Sequence, residues 1–454
     1  MAGGESLWST VMSDASDAGG HKQHKRDPRH SFRDKSHAQA HAAEETPAAD
    51  IPDHPLIPKG QAKLISTPQG LTELIAELRR SGSFAYDSEF IGELSYHPKL
   101  CLVQVATHEH VTLIDPLAEI DLTGFWELIA DPTVEKILHA GEQDLEPVVR
   151  ILGRPPANVI DVQVAAGFTG LAYPSGLSKL VREMIGARLG KGFTFTHWDQ
   201  RPLSPVQLRY AADDVRYLPA VRDIVVKRLE KLGHLKWAKE ECAALCDPAR
   251  YRLNPAADYV RIRGAGSLDP KNAAVLRELY IWREDAALRN DSPPRSYVKD
   301  EVLLDIARRP VKTVADLNRV KGLPRPVENE EGQRMVEAVQ RGLATPEAER
   351  PTAAQFEETP TERFAADSLW AVVQAWCYGQ QVDPALLCSR QEIGRLSRNL
   401  REAGEPSPDG RLMHGWRGEM LGEPLRRMIR GDLEMRLRFA GGSLITAAAQ
   451  SPPQ

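Results

Sequence analysis

Between Gln61 and Leu152 the chain alternates β-rich and helix-periodic runs, and this alternation limits the possible folds more than any other feature of the sequence. Leu71, Leu74, Ile75 and Leu78 recur at helical spacing across Gly70–Arg80, and Ser83–Phe90 follows as a short strand. The stretch LCLVQVATHEHVTLIDP holds two β-rich runs divided by a polar break, which predicts a hairpin. A helix around Phe125–Ala130, a strand through Lys136–His139 and a helix over Glu142–Leu152 continue the pattern. Strands alternating with helices around one hairpin predict an α/β domain with a mixed sheet.

The sharpest local signal is SPVQLRYAADDVRYL. Ser204 suits an N-cap, Pro205 the first helical position, and Gln207 closes a capping box, so a helix starts here. It is expected to run on through Val221–Leu232 with a kink at Pro219. Beyond about Cys246 the β-rich runs stop, leaving two helical segments of similar size, 268–343 and 361–439. Each suits a bundle of four or five helices, and ATPEAERPTAAQFEETPTE joins them as a linker. An internal repeat is conceivable, although the two segments do not align.

From Met1 to Asp50 the sequence lacks periodic apolar residues and reads as a disordered tail. Its histidines (His21, His24, His30, His37, His41) are irregularly spaced, which favours a solvated basic tail over a metal site. No apolar run approaches the ~18 residues of a membrane span. The 5 scattered cysteines point to a reducing compartment, and the first residues carry no signal-peptide pattern, so the expected location is cytoplasmic. A net charge of -5 argues neither for nor against a polyanionic partner, because recognition needs a local basic face. Arg289, Arg295, Lys299, Arg308, Arg309, Lys312 and Lys321 make the first helical segment locally basic, as Arg426, Arg427, Arg430, Arg436 and Arg438 do the second.

Four acids sit where an α/β sheet concentrates function, at strand ends and the helix starts after them. Asp87 and Glu89 close the first strand in AYDSEF, and i, i+2 spacing sends both carboxylates to one face. Asp144 follows the glycine turn of HAGEQDLE. Asp214 lies one helical turn after Tyr210, so phenol and carboxylate share a helix face. Singly, each acid reads more readily as a turn former or a partner of a helix dipole. His139 reads as a satisfied structural group, Asp115 and Asp161 as turn or sheet-edge residues, and Cys242 with Cys246 as helix core rather than a zinc site. Trp198 and Arg201 could shape a cleft or simply pack.

DSEF, LHAGEQDLE and YAADDVRYL, in this order and at these separations, resemble the three exonuclease motifs of the DEDD superfamily, in its tyrosine-bearing branch. HPKLCLVQVAT, the IDP that ends a strand, and the HWDQRPLSPVQLRYAADDVRYL block are similar to that branch's ribonuclease D members. Downstream, LDPKNAAVLRELYIWREDAALRNDSPPRSYVKDEVLLDIARRPVKTVADLNRVKGL resembles the HRDC helical module, and LMHGWRGEMLGEPLRRMIRG a second, more divergent one.

The resemblance implies a ribonuclease H-like α/β exonuclease domain with a mixed sheet, followed by two small all-α HRDC-type bundles. The corresponding divisions are a basic, His-rich tail (1–58), exonuclease domain (59–235), connector (236–267), HRDC domain (268–346), linker (347–360), second HRDC-like domain (361–440) and disordered tail (441–454). It further implies that Asp87, Glu89, Asp144 and Asp214 bind two divalent cations, Mg²⁺ or Mn²⁺, and that Tyr210 orients the attacking water, with Asp213 a bystander. The implied activity is 3′→5′ hydrolysis of RNA to nucleoside 5′-monophosphates, with tRNA precursors and other structured RNAs as substrates. DNA is the alternative substrate and an inactive nucleic-acid scaffold the alternative role. LGKGFTFTHW and the GEQD form of the second motif depart from the family's commoner sequence and bear on substrate preference. No G-x-x-x-x-G-K-[ST] loop accompanies the domain, so no helicase motor is expected.

Overall fold

The computed structural model describes residues 51, 54–190, 197–351, 358–404, 410–429, 433–440 and 443–450. Its first domain is built on six strands: β1 (Lys63–Ile65), β2 (Ser83–Ile91), β3 (Lys99–Ala106), β4 (Val111–Ile114), β5 (Glu135–Leu138) and β6 (Val159–Asp161). The spatial order is β1-β4-β3-β2-β5-β6. β2, β3 and β4 form an antiparallel meander, whereas β1 joins β4, β5 joins β2 and β6 joins β5 in parallel. The mixed sheet expected from the sequence is therefore present, and β2 stands where its two halves meet.

Helices cover both faces. On one, α1 (Pro68–Ser81), α2 (Thr123–Ile129) and α3 (Glu146–Leu152) enclose a core with Phe84, Tyr86 and Val103. On the other lie α4 (Val162–Ala166), α5 (Leu177–Ile185), α6 (Pro205–Arg216), α7 (Leu218–Leu232) and α8 (Leu235–Ala243), against Ala85, Ala106, Ile137 and Ile160. The helix predicted to bend at Pro219 is instead two helices, α6 and α7, meeting at Tyr217. Pro219 falls in the first turn of α7, where a missing N–H costs nothing.

Two divisions differ from expectation at their edges. Residues 1–50, 52 and 53 of the predicted tail lie outside the described residues, but Ile57 is already buried and Arg216 Nη1 donates to the carbonyls of Pro58 and Gly60. The first domain thus takes in Ile57 and Pro58, which the sequence assigns to the tail. In the predicted connector, α8 packs on the first domain, with Cys242 Sγ 3.8 Å from the Asp161 carbonyl; short 3₁₀ turns and α9 (Pro255–Asp258) complete the segment.

The first helical module comprises α10 (Pro270–Arg289), α11 (Pro294–Tyr297), α12 (Asp300–Arg308), α13 (Val314–Leu317) and α14 (Arg325–Ala344). It has its own core, around Leu276, Leu279, Leu303, Met335 and Val339. α10 and α14 cross so closely that a Cβ on Gly342 would stand 2.5 Å from Val275 Cα. The second module contains α15 (Pro360–Gly379), α16 (Pro384–Leu387), α17 (Arg390–Ala403), α18 (Gly415–Arg417) and α19 (Glu423–Ile429).

This second module corrects two expectations. It is not all-α through 440, and 441–454 is not wholly tail: β7 (Leu433–Ala440) and β8 (Ser443–Gln450) pair antiparallel, from Leu433 opposite Gln450 to Ala440 opposite Ser443. LEMRLRFA alternates apolar and polar residues with period 2 and is followed by Gly-Gly, a hairpin pattern in the sequence itself. Nor is the module a separate bundle. Val373, Cys377, Leu387, Ile393, Trp416 and Leu425 belong to the same core as Val225 and Ala238 of the first domain. Trp416 meets Phe168 edge-on at 4.8 Å, and Arg417 forms a two-pronged ion pair with Glu241. Among the described residues no helix is long and apolar enough to cross a membrane.

Candidate active site

Parallel pairing of β2 with β5 ends at Ala85 opposite Ile137, so the second half of β2 projects beyond the end of β5. Asp87 and Glu89 lie on this projecting half, opposite Gln104 and Leu102 of β3, and a register irregularity follows between Glu89 and Phe90. Their shared face is that of Ala85 and Leu102, under α6.

The turn after β5 brings Asp144 to the uncovered edge of β2. Ala140 takes φ 55°, a left-handed conformation unusual outside glycine, and Gly141 turns the chain so tightly that a Cβ there would lie 2.9 Å from Leu138 Cβ and 3.2 Å from Asp144 Oδ2. Gly141 N donates to Asp161 Oδ2 at 3.1 Å. A 3₁₀ turn, Gln143–Leu145, then presents Asp144, whose carbonyl accepts from Tyr86 Oη at 2.8 Å and whose carboxylate accepts from Ser88 Oγ.

The third segment is α6. Ser204 Oγ accepts from Gln207 N at 3.2 Å and Gln207 Oε1 accepts from Ser204 N at 3.0 Å, the reciprocal cap expected from the sequence. The cap fixes where the helix starts, and so the turn on which Tyr210 and Asp214 share a face; the two side chains are hydrogen-bonded to each other.

The electrostatics show how close the three segments come. Burial raises Asp87 well above the usual carboxylate range, and the charges of Asp144, Asp214 and Glu89 raise it further. Glu89 is pushed up to about 8 by burial, then by Asp214 and Asp144. Burial also raises Asp144 and Asp214, opposed by the hydroxyls of Ser88 and Tyr210 respectively. Tyr210 itself is raised above the ordinary phenol value by burial and by Asp214, Glu89 and Asp87, so it stays protonated at neutral pH. The five predicted residues therefore occupy one electrostatic neighbourhood. They do not stand as a ready-made ligand shell: among the described residues no three His, Cys, Asp or Glu groups are gathered closely enough to grip one ion. Asp144 and Asp214 instead point their oxygens at Ser88 and Tyr210.

The remaining candidates take structural parts. His139 Nε2 meets the Ser175 carbonyl at 2.9 Å. Asp213 pairs with Arg209 at 2.7 Å and Arg216 at 3.0 Å, while its charge adds to the rise of Asp214. Asp161 caps α4, and Asp115 receives Arg201 at 2.7 and 2.6 Å. Arg201 also donates to the carbonyls of Cys101 and Trp198, tying the approach to α6 onto the sheet, and buried Trp198 packs with its ring centroid 6.3 Å from that of Tyr210. Residues 191–196 of LGKGFTFTHW lie outside the described residues. Cys242 is helix core, whereas Cys246 lies on a 3₁₀ turn just beyond α8. Several basic residues of the first module are engaged at home: Arg289 with Glu331, Arg295 with Asp300 and Arg309 with Asp305. Arg430 lies outside the described residues.

Two buried or half-buried polar residues beside the acids are inconspicuous in the sequence, Ser88 and Gln104. Ser88 was overshadowed by the acids on either side of it. Gln104 is a lone amide in the apolar run LCLVQVA, and that interruption was its signal.

The chain matches the 3'-5' exonuclease family model over residues 62–230 and the HRDC domain model over 272–339. It is 37% identical to the ribonuclease D of Gluconacetobacter diazotrophicus over 79% of this chain and 91% of that protein. It is 34% identical to that of Granulibacter bethesdensis over 82% and 93%. The crystal structure of Escherichia coli RNase D, described as an exoribonuclease involved in structured RNA processing, superposes with a TM-score of 0.70 at 29% identity, covering 82% of this chain and 99% of that one. With the three motifs converging on one end of β2 and an HRDC module behind them, the chain belongs to the ribonuclease D family of 3′→5′ exonucleases.

Proposed function

We propose that the protein is a metal-dependent 3′→5′ exoribonuclease that releases nucleoside 5′-monophosphates and trims the 3′ ends of tRNA precursors and other structured RNAs. The observation that carries this reading is the meeting of Asp87, Glu89, Asp144, Tyr210 and Asp214, from three distant segments, at the free end of β2. The donor set fits hard divalent cations: the four carboxylates, once all ionised, carry a formal charge of about −4 that two Mg²⁺ or Mn²⁺ balance, and oxygen ligands suit these ions rather than Zn²⁺. When bound, such a pair stabilises the charge that develops on the attacking and leaving oxygens of a phosphodiester.

The chain's own residues supply the rest. Asp87 and Glu89, fixed on a paired strand, would supply the rigid part of a cation cage, and Asp144 and Asp214, now hydrogen-bonded to Ser88 and Tyr210, would supply the rest. Tyr210, held protonated, is no general base; its hydroxyl orients water by hydrogen bonding. RNA as substrate is supported by the relatives' common name and by the description of the E. coli protein.

The test is incubation with 3′- and 5′-labelled RNA and DNA in Mg²⁺, Mn²⁺ or EDTA. Stepwise shortening of RNA from its 3′ end, stopped by EDTA, is expected; preferential shortening of DNA, or endonucleolytic fragments, overturns the reading. Asp87→Asn and Asp214→Asn should each lose hydrolysis by ~10³-fold or more while keeping the wild-type circular dichroism. Undiminished turnover in either rejects its place in the site.

A further inference from the structure

Gln104 lies in the middle of β3 with its side chain wholly buried, yet among the described residues neither Nε2 nor Oε1 has a hydrogen-bond partner. Buried amides are almost always satisfied, because an unmade hydrogen bond in the interior destabilises the fold. Such a residue needs an explanation, and its register supplies one.

Gln104 stands directly opposite Asp87, before the irregularity at Glu89 and Phe90, so both side chains leave the sheet on the same face. Opposed Cβ atoms in an antiparallel pair lie about 4.5–5.5 Å apart, a gap that the two methylenes and amide of glutamine can bridge to a carboxylate. The other neighbours given by register and packing, Leu102, Ala106, Leu113 and Ala211, are apolar. Asp87 is the polar side chain that the register sets directly opposite the amide, with Glu89 one pair further along the same face of β2 and Tyr210 packed on the same cluster.

We propose that Gln104 is a positioning residue for Asp87: its Nε2 donates to the Asp87 carboxylate when that carboxylate holds a cation, and fixes its orientation. The proposal rests on the reading of Asp87 as a cation ligand. In the cation-free protein the amide is then a standing cost to stability, which the hydrogen bond removes on loading. Carboxylates that bind metals are commonly held by such outer partners, whose loss weakens binding by ~10–100-fold. Function and stability are in conflict at this position, as they often are where a site is preorganised.

The full-length protein and its Gln104→Met and Gln104→Leu variants, apolar residues of similar size, provide the test. Three quantities are read: Mn²⁺ affinity by electron paramagnetic resonance of the free ion, melting temperature in EDTA, and kcat and KM on a short oligoribonucleotide. Mn²⁺ binding ~10-fold or more weaker is expected, with kcat lower, KM for RNA unchanged and the melting temperature in EDTA equal to or above wild type. Wild-type Mn²⁺ affinity in the variants overturns the proposal. So does a lower melting temperature in EDTA for both variants, since it means that the amide is already satisfied in the cation-free fold. Failure of the wild type itself to bind Mn²⁺ removes the cation reading of the four carboxylates and this proposal with it, an outcome distinct from a variant that binds normally.

Discussion

A glutamate pressed among other carboxylates keeps its proton long after a surface glutamate has lost it. Glu89, ordinarily at 4.5, is pushed up to about 8, chiefly by burial and then by Asp214 and Asp144. The folded state therefore binds more protons than the unfolded state between those values, and its stability falls as pH rises through the window. In EDTA the melting temperature should decrease from pH 5 to pH 9; Asp214→Asn, which removes the larger of the charges that raise Glu89, should flatten the slope, and saturating Mn²⁺ should do the same for the wild type. Parallel slopes in all three would show that the carboxylates do not feel one another. The five residues could be named from the sequence because their three motifs together resemble those of one family, and the fold adds that they share one electrostatic neighbourhood. Ser88 and Gln104 could not be named so, because one hydroxyl and one amide acquire meaning only when strand register sets them beside Asp144 and Asp87.

At the scale of the element, α6 carries two of the five candidate site residues on a helix whose start is set by a single reciprocal cap. Ser204→Ala should cost ~1 kcal/mol of stability, seen as a lower denaturant midpoint, and lower kcat more than it changes KM, because the turn bearing Tyr210 and Asp214 loses its anchor. An unchanged midpoint would mean that packing alone fixes the start of the helix. This element was read correctly from sequence since capping is local chemistry. The break between α6 and α7 was not, because Pro219 is compatible with a kink or with a fresh first turn, and the packing of Tyr217 and Leu218 in the core selects the second. The β7–β8 hairpin carried its signal in LEMRLRFA followed by Gly-Gly, within a stretch otherwise dominated by helical periodicity.

For the whole molecule, amphipathic patterns state which face of a helix is apolar but not what covers it. That is why two helical segments of similar size looked like two equivalent appendages, when one has its own core and the other completes the core of the α/β domain. Scanning calorimetry should accordingly show the α/β domain and the second helical module unfolding together and the α10–α14 module as a separate transition. Trp416→Ala, which empties the contact with Phe168, should destabilise the joint transition by ~3–5 kcal/mol and leave the other unmoved. Equal displacement of both transitions would contradict this division. A nuclease whose last helices finish its catalytic core ties the placement of α7 and α8, and through them of α6, to the far end of the chain.

Whether the four carboxylates close on a pair of cations is read from a crystal structure with Mn²⁺ and anomalous diffraction data. Two peaks about 3.5–4 Å apart, bound by oxygens of Asp87, Glu89, Asp144 and Asp214, are expected, with Asp144 and Asp214 turned away from Ser88 and Tyr210. Mn²⁺ bound elsewhere on the protein, with these four side chains left as they are, would contradict the account.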